Sequence, residues 1–401
     1  METTHTDESI SIIPITTRVP VTIISGFLGA GKTSLLRHVL TVMHGKRIAV
    51  IENEFADEIG IESLILKNGL AGPTADGFYE LQNGCLCCTT KDDLVIILEK
   101  LIKRSKEQRF DAVLIETSGM ANPGPVAATF WSDTGDLDAQ LELDGIVTIV
   151  DAVNILKQLG TRTSISSGGK YEAEKQIGCA DVILLNKTDL VSYEEIIKVE
   201  EILQGMNSAA RIIHCQHSMV NLDLIMRLRA FDVTKWTSSM DNTILEKMNT
   251  EKQLSSIQSF TCDQKEYPSH KHSEGCIHDT SICTIVIRRT TPIDLKRITQ
   301  WIGKLVWPND DVVRDENKNI YPIIFRGKGV LCILDTSCTT TSDLAYLPER
   351  YILQSVHEQF DIQPCEGIDG KWEKDVSIHS KIILIGKNLN KSKLEEEFVA
   401  L

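Results

Sequence analysis

The chain has 401 residues, with 42 lysines and arginines against 56 aspartates and glutamates, which gives a formal net charge of −14. Its length predicts two or three domains, each with its own core. The negative charge repels nucleic acid and anionic membranes, so we expect neither as a partner. No apolar run approaches the roughly 20 residues that span a bilayer, and the polar start lacks the pattern of a signal peptide. We therefore expect a cytoplasmic or nuclear protein.

The first predicted strand, Val21 to Ser25, runs into a glycine-rich turn and then a helix. The turn reads GFLGAGKT, the GxxxxGK[ST] pattern that surrounds phosphates with backbone N–H groups at a helix N-terminus. Lys32 is predicted to neutralise the outer phosphates during catalysis, and Thr33 to offer its hydroxyl to Mg²⁺. The predicted phosphate-binding residues are Gly26, Phe27, Leu28, Gly29, Ala30, Gly31, Lys32 and Thr33.

A second predicted strand, Arg47 to Ile51, ends in Glu52, Asn53 and Glu54. Polar side chains at the carboxyl end of a strand lie where doubly wound sheets bind ligands. These three residues could therefore hold Mg²⁺ or order a switch. A solvated turn explains them equally well from this stretch alone.

Three of the eleven cysteines, Cys85, Cys87 and Cys88, fall within four residues after an irregular segment from Leu64 to Gly84. Only a bent loop can turn thiols this close toward one ion, and Zn²⁺ accepts them in tetrahedral geometry with one position left open. Cu(I) would also accept thiolates as ligands, and a redox role for the cysteines is a further alternative. The third alternative is that they are buried structural cysteines with no functional role. The glycine-bearing GCLCCTT sequence favours metal binding, and Zn²⁺ is the predicted ion.

The third predicted strand, Asp111 to Ile115, is followed by Glu116, Thr117, Ser118 and Gly119. An apolar strand that ends in an acid and a glycine turn has the layout of the second phosphate-and-metal motif of P-loop proteins. Glu116 is predicted to hold Mg²⁺ through water or to orient the attacking water, so it is a candidate catalytic residue. Gly119 would let the loop follow the γ-phosphate.

A guanine-binding tetrapeptide, NKTD, directly follows the predicted strand from Asp181 to Leu185. In this position the aspartate accepts hydrogen bonds from the ring N–H and the exocyclic amine of guanine, while the lysine stem packs on the ring. Adenine lacks that pair of donors, so GTP is the predicted nucleotide. The predicted base-binding residues are Asn186, Lys187, Thr188 and Asp189.

A polar stretch then leads to a cluster of five potential zinc ligands. A solvated His-rich linker is the favoured interpretation, and loose Zn²⁺ binding is the alternative. The cluster consists of His270, His272, Glu274, Cys276 and His278.

The remaining sequence predicts a second domain, of the α+β class with a mainly antiparallel sheet. Its predicted elements are a strand from Ile282 to Arg288, a helix from Pro292 to Val306, and strands at Tyr321 to Phe325, Val330 to Leu334 and Lys381 to Ile385. The predicted fold is therefore α/β: a P-loop NTPase domain with a mostly parallel sheet, followed by a smaller α+β domain. Nothing in the second domain resembles a catalytic constellation.

Taken in order, the motifs GFLGAGKT, ENEF, GCLCC, ETSG, VDA and NKTD resemble the CobW family of P-loop GTPases that serve metal delivery. The later FRGKG turn and KIILIGKNL strand are similar to the C-terminal domain of that family, so the resemblance covers most of the chain. It implies GTP hydrolysis, Zn²⁺ at the three clustered cysteines, and transfer of that metal to a client metalloenzyme. For vertebrate members the implied client is a methionine aminopeptidase, docked through an N-terminal CPELVPI motif. The corresponding tail here reads SIIPIT.

Two other functions remain open at this point: a passive zinc buffer or sensor with nucleotide-tuned affinity, and a helper for another metal such as cobalt. The sequence predicts five parts. They are a flexible tail (1–19), a P-loop GTPase domain with the CxCC metal loop (20–235), a polar His-rich linker (236–281), a CobW-like C-terminal domain (282–390) and a C-terminal tail (391–401).

Overall fold

The computed structural model describes residues 18–42, 46–52, 78–80, 91–105, 110–131, 140–160, 168–231, 282–307, 322–334, 348–365 and 379–401. Several predictions lie outside these residues: the tail up to residue 17, Asn53 and Glu54, the three clustered cysteines, and the His-rich cluster. Across the described ranges, no helix combines the length and the apolar character needed to cross a membrane.

The first part of the chain is an α/β unit in which strands and helices alternate. Its strands are β1 (Val19–Gly26), β2 (Ile48–Glu52), β3 (Phe78–Glu80), β4 (Ala112–Glu116), β5 (Leu141–Asp151), β6 (Val182–Asn186) and β7 (Arg211–His214). Its helices are α1 (Lys32–Thr41), α2 (Lys91–Ser105), α3 (Gly124–Ala128), α4 (Ile155–Gly160), α5 (Gly168–Cys179) and α6 (Tyr193–Met206). Short 3₁₀ turns lie at Thr129–Trp131, Thr188–Leu190 and Leu222–Leu224.

The seven strands form one sheet in the order β3-β2-β4-β1-β5-β6-β7, and every neighbouring pair is parallel. The predicted parallel sheet is thus confirmed. One strand was not expected: β3 lies in the segment predicted to be irregular, and it pairs with β2 through Val50 and Phe78. Because parallel strands end at the same edge, the loops after β1, β4 and β6 are brought together there.

The central strand β1 reads VPVTIISG and is buried along nearly its whole length, as expected of a parallel strand covered on both faces. Val21 and Ile23 belong to one apolar layer. Ile24 belongs to the opposite layer, where it joins Leu35 and Leu36 of α1. The sheet therefore separates two hydrophobic cores, one against each of its faces.

The second part of the chain is an antiparallel sheet with two helices, which confirms the predicted α+β class. Its sheet order is β11-β10-β9-β12-β8, with antiparallel neighbours throughout. The elements are β8 (Ile282–Arg289), α7 (Leu295–Val306), β9 (Ile323–Ile333), β10 (Glu349–Val356), β11 (Gln359–Pro364), β12 (Ser380–Lys387) and α8 (Lys391–Val399).

The FRGKG segment is not a turn between two strands, as the sequence suggested. It lies within β9, and from Arg326 onward it pairs with both β10 and β12, with a register shift against β12 at Phe325. The glycines leave room for neighbouring strands, since a Cβ on Gly327 would lie 2.3 Å from Ser355 Oγ. Close approach of a neighbour explains these glycines better than a chain reversal does.

The predicted C-terminal tail is also corrected, because residues 391–399 form α8. Asn390 caps this helix by accepting a hydrogen bond from Lys393 N at 3.0 Å. Leu394 and Phe398, one turn apart, are buried in the core of the second domain. The Phe398 ring packs against Trp301 of α7, with 5.6 Å between ring centroids.

Replacing Phe398 with alanine should lower the free energy of unfolding of the second domain by about 3–5 kcal/mol, since the change empties a fully buried site. The adjacent Val399 is 55% exposed, so Val399→Ala is a matched control that should have little effect. Urea unfolding followed by tryptophan fluorescence measures both. Equal effects of the two variants would contradict the packing of α8.

Candidate functional site

The loop between β1 and α1 has a left-handed backbone at three glycines: Gly26 at φ 144°, Gly29 at 73° and Gly31 at 116°. Other residues rarely adopt these angles. A Cβ on Gly26 would lie 2.4 Å from Ile149 O, and one on Gly31 would lie 2.5 Å from Asn186 Nδ2. Glycine is therefore required here for both the turn and the close packing.

Lys32 lies at the start of α1 and closes this loop. Its Nζ donates to Gly26 O at 2.9 Å and to Phe27 O at 3.3 Å, and the side chain is only 8% exposed. Burial lowers the pKa of Lys32, and the nearby negative charge of Glu116 opposes that shift. A partly desolvated cation held at the mouth of a glycine turn is well placed to meet phosphate oxygens.

The loop after β4 lies directly against the phosphate loop. Glu116 ends β4 opposite Ile24 of β1, and Thr117 N donates to Ile24 O at 2.9 Å. A Cβ on Gly119 would lie 2.8 Å from Leu28 N. The structure thus brings together two predicted motifs that are separated by more than 80 residues in sequence.

The residues present suit a bound Mg²⁺ in their chemistry. Thr33 is exposed in the first turn of α1, and Glu116 supplies a nearly buried carboxylate at the end of β4. Ser25 Oγ near the end of β1 and Ser118 Oγ in the loop after β4 are buried without a hydrogen-bond partner in the part of the chain that the structure describes. Unpaired buried hydroxyls normally serve water or a ligand, and oxygen donors are what Mg²⁺ prefers.

Asn186 joins the NKTD segment to the phosphate loop. Its Nδ2 donates to Ala30 O and to Ser218 Oγ, both at 2.9 Å, and its Oδ1 accepts from Ser218 N at 2.9 Å. Ser218 Oγ in turn donates to Gly31 O at 2.8 Å. The amide of Asn186 is fully engaged in positioning these loops.

Lys187 has a left-handed backbone, with φ 62°, and is held by Asp151 at the end of β5. Its Nζ lies 2.8 Å from Asp151 Oδ2, which also accepts from Asn154 Nδ2. Burial alone would raise the pKa of Asp151, but the hydrogen bonds from Lys187, Asn154 and Val153 outweigh it and lower the pKa. The Asp151 carboxylate stays ionised and fixes the lysine stem.

Asp189 is exposed in the 3₁₀ turn after β6, and among the described residues no hydrogen bond to its carboxylate is formed. The preceding Thr188 donates through Oγ1 to Cys215 O at 3.1 Å. This bond fixes the turn beside the loop after β7, where His217 and Ser218 have positive φ angles. The carboxylate is thus presented outward on a rigid turn, as binding to a base requires.

Sequence reasoning did not assign roles to the loop from Cys215 to Ser218 or to Asp151. A usable signal existed for the loop: the polar sequence CQHS directly follows a short β-branched strand, at the edge where parallel strands present ligand-binding residues. For Asp151 the signal was its position at the end of a long apolar strand.

The predicted zinc ligands Cys85, Cys87 and Cys88 lie outside the described residues. Their segment, residues 81–90, connects the end of β3 to the start of α2. Within the ranges that are described, no group of three or more potential metal-ligating side chains is found.

A glycine-rich phosphate loop, an acidic strand end beside it and an NKTD turn at the same sheet edge define a P-loop GTPase domain. Residues 20–214 match the family model of the CobW/HypB/UreG nucleotide-binding domain, and residues 282–401 match that of the cobalamin synthesis protein cobW C-terminal domain. The chain belongs to the CobW family of P-loop GTPases.

Similarity to relatives extends over nearly the whole chain. The chain is 35% identical over 379 residues to the zinc-regulated GTPase metalloprotein activator 1 of Schizosaccharomyces pombe, covering 93% of this chain and 83% of the relative. It is 30% identical over 387 residues to the zinc chaperone YjiA of Escherichia coli, covering 96% and 98%. The crystal structure of Zn(II)-bound YjiA GTPase superposes with a TM-score of 0.60 at 26% identity, covering 96% of this chain and 99% of YjiA.

Proposed function

We propose that this GTPase is a zinc chaperone, which binds zinc through Cys85, Cys87 and Cys88 and transfers it to a client metalloenzyme under control of GTP hydrolysis. The sheet order carries this proposal. β3, β2, β4 and β1 are consecutive and parallel, so the segment with the three cysteines leaves β3 at the edge where the phosphate loop leaves β1. Relatives named as zinc chaperones and zinc-regulated activators support zinc as the cargo.

In the proposed GTPase site, the phosphate loop binds the phosphates through its backbone N–H groups and the Lys32 ammonium. Mg²⁺, when bound by Thr33 and, through water, by Glu116, would supply further neutralisation of the outer phosphates. Glu116 also lies at the strand end where the attacking water is oriented. Gly119 lies close against Leu28 of the phosphate loop, and its proposed role is to bind the γ-phosphate through its backbone N–H.

Base selection is proposed to rest on Asp189 and Lys187. The Asp189 carboxylate accepts from the ring N–H and the amine of guanine, and the Lys187 stem, fixed by Asp151, covers one face of the ring. Asn186 and Thr188 hold these two residues in place.

For the cargo, three thiolates leave one position of a tetrahedral zinc site open, which allows a client ligand to enter before the ion leaves. The reducing cytoplasm or nucleus, where we place the chain, would keep these cysteines as thiols. A methionine aminopeptidase is the candidate client that the family resemblance supplies. A pull-down with GTP- and zinc-loaded chain, read by mass spectrometry, identifies the actual partner.

A zinc titration of the chain with GDP and with a nonhydrolysable GTP analogue, at fixed Mg²⁺, tests the proposal. We expect zinc affinity to differ between the two states by about 5- to 150-fold, the range of typical allosteric coupling, and GTP affinity to shift by the same factor when zinc is added. Equal zinc affinities in the two states would contradict equilibrium coupling between GTP and zinc, and would leave a buffer that is insensitive to the nucleotide or a purely kinetic role for GTP. Tighter binding of Co²⁺ or Cu(I) would favour a helper for another metal.

The matched variants locate the zinc site. Changing Cys85, Cys87 and Cys88 to serine should abolish tight binding, because hydroxyls stay protonated and are poor zinc ligands. Cys365→Ser, at a partly exposed cysteine of the second domain, should leave zinc affinity unchanged. Tight binding that survives the triple change would move the site to the cluster of His270, His272, Cys276 and His278.

A further inference from the structure

A buried glutamine forms hydrogen bonds to the backbone of residues 116–121, which form the loop after β4. Gln176 of α5 is 1% exposed, and its Nε2 donates to Gly119 O at 3.2 Å and to Ala121 O at 3.0 Å. The backbone carbonyl of Gln176 accepts from Thr148 Oγ1 of β5 at 2.9 Å. Both amide hydrogens of Gln176 can thus be used on one loop, and the residue itself is anchored to the sheet.

The helix that carries Gln176 is bound to the second domain. Glu174, two residues earlier, forms an ion pair with Lys387 of β12. Cys179 Sγ, at the end of α5, donates to Phe325 O of β9 at 3.7 Å. A Cβ on Gly178 would lie 2.8 Å from the Phe325 ring, so the helix and the strand are in close contact.

Directly after α5, Asp181 forms ion pairs with two basic residues of β9. Arg326 Nη2 and Lys328 Nζ lie 2.7 Å and 2.9 Å from its Oδ1. These side chains are nearly buried between the two domains, so the ion pairs resist separation more than surface pairs would. The position of α5 is therefore tied to that of the second sheet.

A second contact with the second domain lies just downstream of the same loop. His357, in the turn between β10 and β11, packs against Gly124 at the start of α3, where a Cβ would lie 2.8 Å from His357 Cβ. His357 N donates to Phe325 O at 3.1 Å. The segment downstream of the loop is thus also in contact with the second domain.

We propose that Gln176 is a positioning residue for GTP hydrolysis, which transmits the position of the second domain to the loop that faces the γ-phosphate. This inference rests on the proposed role of residues 116–121 at the γ-phosphate, but it does not depend on zinc. Two carbonyls held on one side fix the backbone around Gly119, whose α-carbon lies close against Leu28 of the phosphate loop. Movement of α5 with the second domain would shift Gly119 relative to the phosphate loop, and a γ-phosphate that draws Gly119 inward would pull on α5.

The isosteric change Gln176→Glu removes the hydrogen-bond donors that bind Gly119 O and Ala121 O, without changing the volume of the side chain. An ionised carboxylate can only accept, so it should repel the two carbonyls. In zinc-free protein with Mg²⁺, we expect kcat for GTP to fall roughly ten-fold or more, with GDP affinity within about two-fold of wild type. The ratio of variant to wild-type kcat should rise as the pH falls, because a protonated carboxyl can again donate to one carbonyl.

Transmission from the second domain is tested by Lys387→Met, which removes the cation that pairs with Glu174. We expect kcat to fall about two- to five-fold, and the double variant with Gln176→Glu to be no slower than Gln176→Glu alone, since both act through α5. The control is Arg297→Met, because Arg297 binds Leu401 O inside the second domain and should not change kcat.

Two outcomes would overturn the inference. Parallel loss of kcat, GDP affinity and melting temperature in Gln176→Glu, with no pH recovery, would show a merely structural residue. Unchanged kcat in Lys387→Met would show that the second domain does not act on the loop. Both readouts are independent of the zinc titration, so failure here and failure of the chaperone proposal are distinguishable.

Discussion

Replacing Lys32 with alanine should reduce GTP affinity by roughly 30- to 5,000-fold, which corresponds to about 2–5 kcal/mol. The backbone N–H groups of the loop remain in this variant, but the only cation that the structure places at the loop mouth in the described part of the site is lost. Isothermal titration calorimetry with GTP and GDP measures the change. Unchanged affinity would rule out the phosphate loop as the nucleotide site.

The control for Lys32→Ala must separate binding from folding, because Nζ also stabilises the loop through Gly26 O and Phe27 O. Lys32→Met keeps most of the side-chain volume, and a melting temperature close to wild type would show that the fold persists. A pH series adds a further check. Since burial lowers the pKa of Lys32, GTP affinity of the wild type should fall as the pH rises and the ammonium loses its proton.

Replacing Asp189 with asparagine should weaken GTP binding by about 3–5 kcal/mol, roughly 200- to 5,000-fold, because two charge-assisted hydrogen bonds to guanine are lost. Binding of XTP should improve, since the new amide can donate to the carbonyl that replaces the amine in xanthine. Competition of GTP, XTP and ATP against a fluorescent nucleotide measures the preference. Wild-type protein that binds ATP as tightly as GTP would contradict the base assignment.

Glu194→Gln is the matched control for Asp189→Asn. Glu194 is an exposed acid in the first turn of α6, close in sequence to the proposed base-binding turn. It carries the same charge without the proposed contact to guanine. A similar loss of GTP affinity in both variants would indicate a general effect of charge.

The parts of the candidate site that could be predicted from the sequence are those whose proposed chemistry depends on residue type at a fixed spacing. The phosphate loop and NKTD are local motifs, and their flanking strands are long and apolar, so their existence and order were predictable within one or two residues. Asp151 and Ser218 were missed because their roles come from partners far away in the chain. Ser218, for example, binds Gly31 across 187 positions.

The errors in the second domain have a similar origin. Glycines in FRGKG suggest a turn when only local conformation is considered, but in β9 they make room for side chains of β10 and β12. Polar residues around α8 suggested a tail, although Leu394 and Phe398 are spaced one helical turn apart. The three-residue strand β3 is too short for any periodicity to show, and only its pairing with β2 defines it.

The hydrogen bonds of Asn186 connect the phosphate loop to the loop after β7. Ala30 and Gly31, at the proposed phosphate end, are linked by these bonds to Ser218, near the proposed base end. In the proposed binding mode, GTP would therefore act as a bivalent ligand whose base and phosphates bind at two sites held at a fixed distance. Once either its base or its phosphates are bound, the other end is presented at high effective concentration. A nucleoside or a free triphosphate cannot use this advantage, so most of the affinity should depend on their covalent connection.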